Sequence, residues 1–237
     1  MASMVRSRLA DFFREAIAAG WIQSNPAEVT KVHGLRTKRA RLTLDAFQQI
    51  LKEAEKDKRR TWVASALKLA LLCGQRREDV ANFTPDSVRD GYLWVLQEKT
   101  GMRLKLPLSL KLDALPQTLG DVIEECVSSG VAKPEGIVHA RQFGHRVFPG
   151  KHLRPPLLTR RAFADARDRA GITGENPPTF HEIRSLAGRL YEEKYGERFA
   201  QRLLGHKNAQ TTALYLDTRG AEWMSIELPS ERGMGGV

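Results

Sequence analysis

Two cationic side chains stand three residues apart at His181-Glu-Ile-Arg184. On a helix this spacing sets them side by side on one flank, while Ile183, Leu186, Ala187 and Leu190 turn toward a core. The planar fork of arginine suits bidentate contact with phosphate oxygens, so the pair is of a type that holds an oxyanion. Spacing alone decides nothing: 6 histidines and 25 arginines in 237 residues give about 0.6 such pairs by chance, and a second copy occurs at His33-Gly-Leu-Arg36. The later copy differs in its surroundings. Upstream lies Leu71-Leu-Cys-Gly-Gln-Arg-Arg-Glu-Asp79, with Arg76 just past a glycine; Lys99 precedes Thr100-Gly101; downstream come Phe199-Ala-Gln-Arg-Leu-Leu-Gly-His206 and then Tyr215. By residue type alone all four tyrosines, Tyr92, Tyr191, Tyr195 and Tyr215, stay open as nucleophiles.

The elements that carry these residues follow from periodicity. Apolar residues at helical spacing predict a helix over 6–20 closed by Gly20, two more over 44–56 and 60–73 with Gly74 as the stop, and others over 119–127 and 158–170. Helical pattern then dominates 181–215, interrupted at Gly196 and Gly205. Alternation of period two over 92–97 and 102–108 predicts a hairpin with Lys99-Thr100-Gly101 at its tip, and 223–228 reads as a short final strand. The fold class is therefore α+β, mainly helical with a small antiparallel sheet.

Composition narrows the function classes. Lys+Arg 38 against Asp+Glu 28 give a net charge of +10, which points to a polyanionic partner, since cationic surfaces bind phosphate backbones by releasing counterions. Lys31, Arg36, Lys38, Arg39 and Arg41 form an acid-free basic stretch that reads as an extended connector between domains or, equally, as a solvated linker. No apolar run approaches a membrane span, so a cytoplasmic protein is expected. Cys73 and Cys126 are far apart, and no Cys/His cluster has metal-ligand spacing; neither a disulfide, a metal nor a cofactor is expected.

Taken in order, an Arg after a Leu-Leu-x-Gly-x helix end, a Lys before Thr-Gly, His-x-x-Arg, Leu-Leu-Gly-His and a Tyr resemble the tyrosine recombinases, most closely the integrases of lambda-like bacteriophages. The resemblance covers about residues 41–228 and is tightest over 177–223. It implies a site-specific recombinase that cuts and rejoins double-stranded DNA at attachment-site-like core sites, without a metal. It makes Tyr215 the nucleophile that forms a 3′-phosphotyrosine, with Arg76, rather than Arg77, and Arg184 clamping the non-bridging oxygens. Lys99 would protonate the departing 5′ oxygen, His181 and His206 would take the tyrosine proton and hydrogen-bond the phosphate, and Asp79 would help position Arg76. It further implies a tetramer on DNA, a monomer when free, accessory DNA-bending proteins, and a tail after the nucleophile that packs as a strand.

The resemblance also divides the chain. Residues 1–36 read as the last helix of a helical core-binding domain with a basic linker, and 37–237 as the catalytic domain with its tail strand. Because a lambda-type integrase carries more before this point, DNA binding by this chain alone is expected to be weak. Rival readings are a type IB topoisomerase, which uses the same chemistry, and a catalytically silent DNA-binding module. A metal-dependent nuclease is disfavoured by the lack of clustered carboxylates and histidines.

Overall fold

Leu9, Phe12, Ala16 and Ile17 recur at helical spacing, and Ala2–Ala18 forms the first helix, α1. The structure, a computed structural model, describes residues 2–30, 40–128, 135–139, 162–205 and 223–229. The chain divides into two compact units, Met1–Arg39 and Ala40–Val237. In the first, the segment after α1 folds back on the helix. Asn25 donates to the Ala10 carbonyl at 3.0 Å and Arg6 Nε to the Thr30 hydroxyl at 2.8 Å, with Ala10, Ala16 and Ala27 buried between. Met4, Phe12 and Trp21 stay exposed.

The second unit is built around one helix. Thr43 caps Leu44–Lys56 (α2) by accepting from the Ala46 amide, and Trp62–Cys73 (α3) follows. Sequence periodicity gave α3 one buried side; in the fold every residue of it but Lys68 is buried, because α2 and two later helices pack around it. Gly74 ends α3 in the left-handed region, φ 62°, its amide returning to the Ala70 carbonyl.

A short helix that periodicity did not reveal, Arg77–Asn82 (α4), starts immediately afterwards. Six residues are too few for an apolar repeat to be recognised.

Val88–Arg89 (β1), Tyr92–Leu96 (β2) and Arg103–Pro107 (β3) make an antiparallel meander in which Leu93, Val95, Leu104 and Leu106 point to the core. The β2–β3 turn closes through Gly101, whose amide donates to the Gln97 carbonyl at 2.8 Å. Leu119–Val127 (α5) covers α3, with Ala164–Arg169 (α6) against α2. Residues 158–161 of the expected helix lie outside the described residues. The long helical stretch becomes His181–Tyr195 (α7) and Glu197–Leu204 (α8), separated at Gly196, φ 88°.

Finally Met224–Ser225 (β4) joins the sheet, pairing parallel to β3. The sheet is thus antiparallel over its first three strands and parallel at the last.

Candidate functional site

Three of the sequence-derived site residues sit where elements end, and a fourth follows one turn inside a helix. Arg76 lies between the glycine stop of α3 and the start of α4, Lys99 is on the exposed β2–β3 turn, His181 is the first residue of α7, and Arg184 is one turn into it. A cleft of about 490 Å³ is lined by Arg76, Glu78, Asp79, Glu98, Lys99 and His181. His181 and Arg184 also line a neighbouring cleft of about 400 Å³ between α7 and α8, so His181 is the wall common to both.

Arg184 is buried, 7% exposed, and held by main chain: Nη1 donates to the Gly74 carbonyl at 2.9 Å and Nη2 to the Leu204 carbonyl at 2.5 Å. Desolvation, followed by the positive charge of Arg76, brings its pKa down to about 10, with Asp79 opposing. It stays cationic at neutral pH. The positive charge of Arg76 acts on buried Arg184, and an anion between such groups would be stabilised by both.

Asp79 is buried, and its carboxylate ties the two loops of the cleft together. Oδ2 accepts the Arg76 amide at 3.3 Å and Oδ1 the Glu98 amide at 3.0 Å. Burial raises its pKa, while those two amides and the charges of Arg76 and Arg184 pull it down. The His181 ring has its pKa lowered first by desolvation and then by Arg184 and Arg76, against Glu182 and Glu78. Neutral at pH 7, it is able to accept a proton.

Two polar residues of this centre, Gln97 and Gln75, escaped the sequence reading. Gln97, fully buried, accepts from Arg76 Nη1 at 3.0 Å and from the Thr100 hydroxyl at 2.6 Å, and donates to Gln75 and to the Leu204 carbonyl. Gln75 in turn donates to the carbonyls of Cys73 and Leu203, both at 2.9 Å. Only the Q-x-K-T-G spacing around Lys99 offered a signal, and it carries no periodicity.

His206 and Tyr215 lie outside the described residues, as do Lys31, Arg36, Lys38 and Arg39; Arg41 is exposed at the start of the second unit. The other tyrosines are packed elsewhere. Tyr191 is buried and its hydroxyl donates to the Leu72 carbonyl at 2.6 Å, Tyr195 stacks on it, and Tyr92 is in β2. None of the three lines the cleft. Among the described residues no group of three or more His, Cys, Asp or Glu side chains comes together as a metal site would, and no helix is long and apolar enough to cross a membrane.

The model of the phage integrase family matches residues 40–222, which include every element of this centre. The chain belongs to the phage integrase family. The integrase of Escherichia phage HK022 is 37% identical over 230 residues, covering 96% of this chain and 60% of that protein. The chain therefore spans about six tenths of the length of the curated integrases it matches. Among solved structures, a lambda integrase dimer bound to a COC′ core site superposes with a TM-score of 0.74 at 36% identity, covering 96% of this chain and 76% of that one. A lambda integrase tetramer bound to a Holliday junction superposes with a TM-score of 0.73 at 37% identity, covering 96% of this chain and 62% of that one. The helical fold with its small sheet is that of the integrase family.

Proposed function

We propose that the chain is a site-specific DNA recombinase that cleaves and rejoins strands through a 3′-phosphotyrosine. The observation that carries this is the cleft that opens Arg76, Lys99 and His181 to one another, with Arg184 fixed behind His181 by the Gly74 and Leu204 carbonyls. A phosphodiester needs its non-bridging charge held while one P–O bond forms and another breaks, and two arginines supply that by fixed donors. The phenol oxygen of Tyr215 bonds to phosphorus and the P–O5′ bond breaks. The phenol proton goes to the histidines, neutral His181 with His206, and Lys99 gives a proton to the departing 5′ oxygen. Covalent storage keeps the bond energy for religation, which reverses each transfer. Tyr191, whose hydroxyl is already bound to Leu72, is not available for this role.

The lambda integrase structures on a core site and on a Holliday junction support double-stranded DNA as the partner and a tetramer as the working assembly. Residues 1–36 are proposed to be the end of a core-binding domain and 37–237 the catalytic domain. The basic connector from Lys31 to Arg41 would lie on the DNA backbone, accessory bending proteins would shape the DNA, and the whole would act in the host cytoplasm.

The test is covalent capture in EDTA. A pool of nicked half-site duplexes with a randomised core is incubated with wild type and with Tyr215→Phe, then run on a denaturing gel. A protein–DNA adduct present in wild type and absent in Tyr215→Phe is expected, and sequencing the captured DNA reads the target. No adduct from the pool, or one that survives Tyr215→Phe, defeats the reading.

A further inference from the structure

The amide of Gln97 uses its full hydrogen-bonding capacity inside the protein. Oε1 accepts from Arg76 Nη1 at 3.0 Å and from Thr100 at 2.6 Å; Nε2 donates to Gln75 Oε1 at 2.7 Å and to the Leu204 carbonyl at 3.1 Å. Its orientation is forced, because a guanidinium only donates and a carbonyl only accepts. Gln75 cannot turn to suit a different neighbour without giving up its own bonds to Cys73 and Leu203. The Leu204 carbonyl accepts from Gln97 and from Arg184 Nη2 alike, so one main-chain oxygen at the end of α8 locates both arginines, Arg184 directly and Arg76 through Gln97. The next residue, Gly205, leaves room for this: a Cβ there would come within 2.8 Å of Gln97 Nε2 and 2.9 Å of Oε1.

We propose that Gln97 is a positioning residue for phosphoryl transfer, setting the Arg76 guanidinium and the Lys99 turn against Arg184 and the end of α8. This rests on the recombinase reading above. Gln97 is buried and outside the lining of the cleft, so it acts through the arginine and adds no DNA contact of its own. Its loss therefore slows the chemical step and leaves affinity alone.

The experiment is single-turnover adduct formation by the full chain on the captured half-site at saturating DNA, comparing wild type with Gln97→Met, which keeps the volume and removes the amide. The expected result is a rate lower by ~10²-fold, as for other misplacements of about an ångström, with the same final amplitude and the same half-saturating DNA concentration. A half-site with a methylphosphonate at the scissile position has no non-bridging charge for Arg76 to hold, and on it the gap is expected to shrink to below ~3-fold. An unchanged rate on ordinary DNA overturns the proposal, as does a lower amplitude at unchanged rate or a gap that persists on methylphosphonate DNA. Should Gln97→Met fail to fold, Thr100→Val, which removes one bond to Oε1, is expected to show the same pattern at ~3- to 10-fold, and no change in it overturns the proposal. A wild type that forms no adduct defeats the recombinase reading itself, a result distinct from any of these.

Discussion

The carboxylate of Asp79 accepts the main-chain amide of Glu98, nineteen residues away, at 3.0 Å, while its other oxygen accepts that of Arg76 at 3.3 Å. This buried carboxylate thus ties the loop that carries Arg76 to the turn that carries Lys99, beside the bridge through Gln97. Asp79→Asn turns one acceptor into a donor that faces an N–H. It is expected to cost about 1–3 kcal/mol in urea unfolding and to slow adduct formation more than it weakens DNA binding. Equal losses in both would mean that the carboxylate serves stability alone.

Gly74 and Gly205 share nearly the same left-handed backbone, φ 62° and 63°, but differ in what surrounds them. A Cβ on Gly74 would meet leucine and alanine side chains at 3.4–3.7 Å, ordinary contact, whereas one on Gly205 would strike the Gln97 amide. Gly74→Ala is therefore expected to cost only the backbone strain, about 1 kcal/mol, and Gly205→Ala clearly more, about 2–3 kcal/mol. Thermal unfolding of the two variants side by side measures the difference. Equal shifts would show that Gln97 moves aside freely.

The glycine stops were legible in the sequence because left-handed caps leave a residue-type signature, and so were Arg76, Lys99, His181 and Arg184 through their ordered motifs. The glutamines were not. Gln75 and Gln97 gain their meaning from Leu203 and Leu204, 128 and 107 residues further along the chain, and nothing local marks such a distance. The same holds for α3, whose second buried side depends on helices that arrive later. It holds too for β4, whose parallel register with Leu104 and Lys105 is a property of the fold rather than of residues 224–225.

Tyr191 separates structural from chemical tyrosines. Its buried hydroxyl donates to the Leu72 carbonyl at 2.6 Å, and burial holds its pKa well above the usual phenol value. Tyr191→Phe leaves that carbonyl without its partner and is expected to cost about 1–2 kcal/mol. The adduct should persist, in contrast to Tyr215→Phe. Loss of the adduct in a folded Tyr191→Phe protein would reassign the nucleophile.

His181 titrates below its ordinary 6.5 through desolvation first, with Arg184 and Arg76 reinforcing the shift. The unfolded chain takes up the proton earlier as pH falls, so the contribution of this ring to stability is full above 6.5 and is lost as pH falls from there through the lower folded value. In its proposed role as proton acceptor the ring stays neutral, and so competent, down to that lower folded value. The kcat/KM of adduct formation, which reports the free enzyme, is expected to show an acid limb centred below 6.5, absent in His181→Gln. A limb centred above 6.5, or one unchanged in His181→Gln, would assign the titration to another group.

An aromatic contact adds to the main-chain bonds that hold the tail strand. Trp223 meets Trp94 edge to face at 4.7 Å, and the Trp94 ring lies between Arg89 and Lys105, whose charged ends stand 4.1 and 4.2 Å from its centroid. β4 has two paired residues and the Ile226 amide bound to the Lys105 carbonyl at 2.9 Å, and such bonds are each worth only about 1 kcal/mol net. An aromatic pair adds about 0.5–1.5 kcal/mol beyond the area it buries, enough to decide whether so short a strand stays docked. Trp94→Ala is therefore expected to speed amide exchange at Ile226 by about tenfold while Leu104 and Leu106, inside the meander, keep their protection. Hydrogen exchange read by mass spectrometry distinguishes the two. Unchanged exchange at Ile226 would mean that buried Ile226 itself, and not the tryptophan pair, holds the tail in place.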